Sequence, residues 1–113
     1  MGLGLGVAQA STDGFIVPSF RGAAGTQTGT WEVFTTAVGA PGNRADGTGA
    51  TTDAVMTQSD AGAFLTGTGN IYNMGGTSRF ELTDGTAQPV GTVVLQTRTV
   101  GTEFDYASVR LVY

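Results

Sequence analysis

The sequence predicts an all-β fold, a jelly roll or β-sandwich of about 7–9 short strands. Glycine is abundant, at 19 residues of 113, and threonine recurs throughout the chain. Both residues disfavour helix interiors, and threonine favours strands. Turn-forming residues recur about every 8–12 positions, and no amphipathic helix of useful length is present. The length suits a single β-sandwich domain over 11–113, preceded by an extension over 1–10.

The extension carries an alternating pattern in which Leu3, Leu5 and Val7 are separated by glycines. In an extended strand the three side chains project from one face, and the other face is nearly flat. Such a strand is predicted to add to a sheet, either its own or that of a neighbouring molecule.

A second interpretation of the extension stays open. The residues 7–10, Val-Ala-Gln-Ala, end in the small-residue pattern that precedes signal-peptidase cleavage. The mature chain would then begin at Ser11, and residues 1–10 would be a signal remnant. Both interpretations predict a secreted, extracellular protein.

The domain begins with a short predicted strand over 14–20, where Pro18 indicates a strand end or edge. The strongest predicted strand covers 28–38 and includes Trp31. The longest predicted loop, 39–49, contains Pro-Gly and Asp-Gly turn pairs.

The second half alternates short apolar runs with turns. The range 51–58 fits a strand or a helical turn, and Phe80 and Leu82 are predicted to point inward. Ala107, Val109, Leu111 and Tyr113 share one face of the closing strand. The strands predicted in this half are 61–65, 70–74, 78–82, 91–99 and 103–113.

The composition argues against an enzyme and against a bound cofactor or metal. Histidine and cysteine are absent, which removes Ser-His and Cys-His nucleophiles and the common zinc sites. The acidic residues lie mostly beside glycines or on alternating positions, as turn and strand-surface residues do. Calcium is the one metal alternative, through oxygen ligands from Asp46, Asp53 and Asp60.

Charge and hydropathy also limit the kinds of partner that the protein is expected to bind. The net charge is −4 and the five basic residues are scattered arginines, so no basic patch for nucleic acid is predicted. No apolar run approaches the ~20 residues that span a bilayer. The aromatic residues are expected to fill the core rather than to stack on sugars, and the threonines and serines are possible sites of O-linked glycans. The aromatic residues weighed in this way are Trp31, Tyr72, Tyr106 and Tyr113.

The two ends together resemble the subunits of donor-strand fibres. The Leu3, Leu5 and Val7 strand lies at one end, and the alternating residues 107–113 lie at the other. The pattern is similar to chaperone–usher pilins and to jelly-roll subunits of bacterial matrix fibres and archaeal pili. This resemblance implies that the amino-terminal strand fills a groove in the next subunit.

A weaker resemblance concerns the ranges 34–41 and 95–113, which look like secreted bacterial β-sandwich proteins of the exosortase-sorted kind. It implies export and a β-sandwich.

The free energy gained by burying its apolar side chains is not enough to hold the extension in place. Burying Leu3, Leu5 and Val7 contributes about 4–9 kcal/mol. Ordering the backbone of this segment costs roughly 9–18 kcal/mol. The strand therefore needs a ladder of main-chain hydrogen bonds as well, as in strand addition to an open groove.

The sequence as a whole predicts a structural subunit of an extracellular bacterial filament, polymerising as copies of itself. A monomeric secreted binding module, with carbohydrate as the candidate ligand, is the main alternative, and an enzyme with two facing carboxylates is the third. The residues predicted at the subunit interface are Leu3, Leu5, Val7, Ile16, Val109, Leu111 and Tyr113.

Overall fold

A computed structural model describes residues 9–10, 15–85 and 89–112. All of its strand pairs are antiparallel, and its helical structure within these ranges is one 3₁₀ turn, Tyr106–Ser108. The all-β prediction is confirmed at this level, and the jelly-roll or sandwich arrangement stays a prediction. The strands are β1 (Gln9–Ala10), β2 (Ile16–Val17), β3 (Asn43–Arg44), β4 (Val55–Gln58), β5 (Ala63–Leu65), β6 (Ile71–Asn73) and β7 (Phe80–Thr83).

The described strands form three small sheets. The largest has the order β3-β4-β7, and the others are the pairs β1-β2 and β5-β6. The range 51–58, which fitted a strand or a helical turn, contains strand β4, the centre of the largest sheet. Predicted strands 14–20, 61–65 and 70–74 contain β2, β5 and β6, and predicted strand 78–82 overlaps β7.

The core lies along β4 because its side chains alternate. Met56 and Gln58 are buried, whereas Val55 and Thr57 between them are half-buried. Ala54 precedes them on the buried face. The period of two is that of a strand with one face packed inward.

The range 28–38, the strongest predicted strand, joins no ladder among the described residues. The prediction was wrong about its pairing, since the main chain there is held by side chains and by isolated backbone–backbone hydrogen bonds at Thr28, Thr30 and Phe34. The Phe34 N–H donates to the Gly69 carbonyl at 2.8 Å. The Glu32 and Val33 N–H groups donate to the Asp46 carboxylate at 2.7 and 2.8 Å. Apolar alternation predicted an extended segment, but not which groups would bind it.

Asn43, on β3, is the first of two buried amides that hold this segment. Its Oδ1 accepts from the N–H groups of Thr35 and Thr36 at 2.8 and 3.0 Å. Its Nδ2 donates to the carbonyls of Thr36 at 2.8 Å and Met56 at 3.4 Å. The Trp31 indole N–H also donates to the Asn43 carbonyl at 2.8 Å. The side chain is 3 % exposed, so these bonds replace water completely.

Gln58, at the end of β4, is the second buried amide, with 1 % of its surface exposed. Its Nε2 donates to the carbonyls of Ala37 and Asp60 at 2.9 and 3.0 Å. Its Oε1 accepts from the N–H groups of Asp60 at 2.6 Å and Arg79 at 3.4 Å. One side chain thereby links the 28–38 segment, the turn after β4 and the start of β7.

The predicted loop 39–49 contains strand β3, which the sequence pattern missed because it has only two residues. Gly42 precedes it with a φ of 80°, a conformation that disfavours other residues. A Cβ at this position would lie 2.6 Å from Val55 Cγ1 and 2.9 Å from the Met56 carbonyl. Gly42 therefore permits the close approach of β3 to β4.

Two predicted strands in the last part of the chain were wrong. The ranges 91–99 and 103–112 join no ladder among the described residues, and the second contains the 3₁₀ turn. Ala107 belongs to that turn, so it does not share a strand face with Val109 and Leu111. Leu82, predicted to point inward, is 45 % exposed.

We expect Gln58→Met to lower the free energy of unfolding by about 2–4 kcal/mol, since methionine nearly keeps the volume but leaves four backbone groups without their partner. Urea unfolding followed by circular dichroism measures the change. Gln27→Met is the matched control, because Gln27 is exposed, and it should stay within about 0.5 kcal/mol. A loss below about 1 kcal/mol for Gln58→Met would contradict the role given to this amide.

Candidate functional site

The carboxyl-terminal segment, residues 89–112, exposes an unusual amount of apolar surface. Nine of the sixteen large apolar side chains that lie exposed in the described chain belong to it. Isolated exposed apolar residues are ordinary, but a concentration of them is typical of an interaction surface. The nine are Val90, Val93, Val94, Leu95, Val100, Tyr106, Val109, Leu111 and Val112.

Aromatic rings attach the segment to the largest sheet. The ring of Phe104 lies 5.4 Å from that of Phe80 on β7 and 6.2 Å from that of Tyr106, measured between centroids. The Tyr106 and Thr97 hydroxyls are hydrogen-bonded to each other. Residues 97–106 therefore form a loop that the Thr97–Tyr106 hydrogen bond closes and that contacts β7 through Phe104.

A second attachment joins the segment to β2. The Ile16 N–H donates to Gln96 Oε1 at 2.7 Å, and Gln96 Nε2 donates to the Ile16 carbonyl at 2.6 Å. Both backbone groups of one strand residue are therefore bound by one side-chain amide. No sequence feature singled out Gln96, because a glutamine between threonine and leucine looks like an ordinary exposed strand residue.

The described residues include three of the predicted interface positions. Ile16 lies on β2 and is 47 % exposed, and Val109 and Leu111 are 47 % and 53 % exposed. They are thus available to a partner, although Val109 and Leu111 lie in irregular structure rather than in a strand. Leu3, Leu5, Val7 and Tyr113 lie outside the described residues.

The β5-β6 hairpin carries a separate exposed aromatic pair. Phe64 and Tyr72 are directly opposite each other, 5.4 Å apart between ring centroids, at an edge-to-face angle of 65°. They are 46 % and 50 % exposed, and Tyr106 is 51 % exposed. The expectation that Tyr72 and Tyr106 fill the core was wrong, because β5-β6 packs its other face inward and Tyr106 lies at the surface of the 89–112 segment.

A cleft of about 350 Å³ lies beside the 28–38 segment. Its walls come from glycine and threonine residues, with Arg21 as the charged member and no aromatic ring. This lining differs from the aromatic-lined groove that a carbohydrate-binding module would be expected to have. The lining residues are Arg21, Gly22, Thr26, Thr28, Thr48, Gly49 and Thr51.

Two of the three carboxylates considered for calcium, those of Asp46 and Asp60, have structural partners instead. Both oxygens of Asp46 accept backbone N–H groups, from Glu32 and Val33. Asp60 Oδ1 accepts from the Gly62 N–H at 2.8 Å. Within the described ranges, no group of three or more acidic side chains is placed to hold a metal ion. The calcium alternative gains no support from this placement.

Comparison of the chain with models of protein families, with characterised proteins and with solved structures finds no match. In the ranges that the structure describes, no helix has the length and hydropathy needed to cross a bilayer.

We expect Phe104→Ala to loosen the 89–112 segment and to lower the free energy of unfolding by about 1–3 kcal/mol, since half-buried contacts to Phe80 and Tyr106 are lost. Urea unfolding measures the stability, and limited proteolysis measures cleavage within the segment. Val100→Ala is the control, because Val100 is fully exposed and should change stability by less than about 0.5 kcal/mol. Equal effects of the two variants would show that the aromatic contact does not attach the segment.

Proposed function

We propose that this protein is a structural subunit of an extracellular bacterial filament, in which the amino-terminal strand of each copy inserts into the next copy. The observation that carries the proposal is the exposed apolar surface of the 89–112 segment. It is the kind of surface that a soluble monomer rarely leaves uncovered.

Gln9 and Ala10, the last two residues of the predicted extension 1–10, pair with β2 of their own copy. The proposed occupant of this surface is therefore the segment 1–8 of a second copy. Leu3, Leu5 and Val7 recur every second residue, so in a strand they form one apolar face. Residues 1–8 and 90–97 both lack ionisable side chains. Burying one against the other therefore removes no charge from water, and desolvation costs little.

The proposed contact between two copies of the chain is head-to-tail. The donor is the extension and the acceptor is a different surface of the chain, so each contact leaves one copy with a free acceptor and the other with a free donor. A heterologous contact of this kind continues into a filament unless its rotation closes a ring. The extracellular location rests on the resemblance to donor-strand fibres.

Leu5→Asp tests the donor strand. Burial of Leu5 is worth about 1.5–3 kcal/mol, and an unpaired carboxylate in its place costs more. We therefore expect the concentration needed for assembly to rise at least about 100-fold. Size exclusion and negative-stain electron microscopy provide the measurement.

Leu5→Ile is the matched control and should assemble like the parent chain, because it remains apolar and favours strands. Deletion of residues 1–9 should abolish polymers altogether. Filaments of unchanged abundance from the deletion variant, or a parent chain that stays monomeric at all concentrations, would refute the proposal.

One observation favours the alternative, a secreted carbohydrate-binding module. The Phe64 and Tyr72 rings are exposed side by side on β5-β6 and offer a surface for stacking on a sugar. On this alternative, Phe64→Ala and Tyr72→Ala would each weaken binding to a polysaccharide array at least about tenfold. Tyr106→Ala, an equally exposed aromatic elsewhere, is the control. Absence of binding by the parent chain would eliminate the alternative.

A further inference from the structure

The outer edge of β2 is occupied by a side chain instead of a strand. Ala10 of β1 faces Ile16, and Gln9 faces Val17. In an antiparallel pair, residues alternate between bonding to the neighbouring strand and pointing away from it. Since Gln96 binds both the N–H and the carbonyl of Ile16, these two groups belong to the open edge.

The amide of Gln96 reproduces what a peptide group of an added strand would supply. It offers one acceptor and one donor to Ile16, at 2.7 and 2.6 Å. Strands in a sheet lie about 4.8 Å apart, and a glutamine side chain is roughly that long. The Gln96 amide therefore lies where the main chain of an added strand would lie, and the main chain of residue 96 lies farther from Ile16, by up to the length of a glutamine side chain.

The main chain of residues 91–97 contains Gln96 and is itself unpaired among the described residues. Within the described part of the chain it joins no ladder and makes no backbone–backbone hydrogen bond. The consecutive residues Val93 and Val94 are 59 % and 48 % exposed, so neither side of this stretch is covered. Close by in sequence, the Thr99 hydroxyl is buried without a hydrogen-bond partner in the described structure.

The geometry points to the space between Ile16 of β2 and residues 91–97 as the acceptor site for residues 1–8 of a neighbouring copy, with the Gln96 amide as the group that the incoming strand displaces. This inference rests on the proposed function and specifies its site. The incoming strand takes over both bonds to Ile16 and gains main-chain bonds to 91–97. Leu3, Leu5 and Val7 of the neighbour then lie against the exposed valines.

Displacement is favourable because the exchange conserves the hydrogen bonds at Ile16. The two groups of Ile16 change partner without being left unpaired, and the released Gln96 amide is solvated by water. The gain comes from apolar burial and from backbone groups of 91–97 that have no protein partner among the described residues. Short open edges are where an added strand binds in other β-proteins.

The test uses the full chain with Leu5→Asp, which cannot donate its own strand but retains the acceptor. A fluorescent peptide of residues 1–8 is titrated into this protein and followed by anisotropy. Adding Gln96→Ala removes the competing amide, so we expect the peptide to bind about tenfold more tightly. Gln27→Ala in the same background is the matched control and should leave the affinity unchanged.

Amide hydrogen exchange at Ile16 locates the bound peptide. In Gln96→Ala without peptide, the Ile16 N–H should exchange faster than in the parent, since its acceptor is gone. Saturating peptide should restore protection in that variant. This measurement, together with circular dichroism, also shows whether Gln96→Ala is folded.

The outcomes separate this inference from the proposed function. Peptide binding with unchanged affinity in Gln96→Ala, or without renewed protection of Ile16, would overturn the acceptor site but leave strand exchange intact. No binding to any of these proteins would overturn both. Tighter binding to Gln96→Ala with protection restored at Ile16 would support both.

Discussion

The structure depends on two buried amides, Asn43 and Gln58, which hold a long irregular segment against the largest sheet. Each side chain makes four hydrogen bonds, all of them to the main chain. The buried apolar side chains are few and small, namely Ala54, Met56 and Ala63. Because so little apolar surface is buried, polar side chains set the position of the 28–38 segment. Their hydrogen bonds take the place of a strand ladder.

A side-chain amide also binds the main chain at the surface, where it is more exposed to water. Gln96 binds the main chain of Ile16 as Gln58 binds that of Ala37 and Asp60, but Gln96 is only half-buried. A buried amide is hard to replace because its partners would lose their only hydrogen bonds. A half-buried amide at a strand edge competes with water and with any strand that reaches it. The fold thus contains a buried and a half-buried form of the same interaction.

Two areas of exposed apolar surface stand out among the described residues. One is the 89–112 segment, attached at Phe104 and Gln96, and the other is the Phe64 and Tyr72 pair on the β5-β6 hairpin. The first adjoins an open strand edge and an uncharged stretch of chain, which favours a strand as its partner. The second is a pair of rings on a small hairpin, which favours a flat ligand. The two proposed functions, assembly and carbohydrate binding, therefore use different surfaces of the protein.

The sequence by itself determined the β class and located β2, β5, β6 and β7, since alternation and turn residues act over a few neighbours, but it left 51–58 open between a strand and a helical turn. Only the tertiary structure decided that 51–58 forms β4 and that residues 28–38 are held largely by side chains, because no local pattern distinguishes Asn43, Asp46 and Gln58 from the other polar residues. It also decided that Tyr72 and Tyr106 are exposed, since burial depends on which face meets the sheet. Gln96 carries no local pattern, and its role follows solely from its position beside Ile16, 80 residues away.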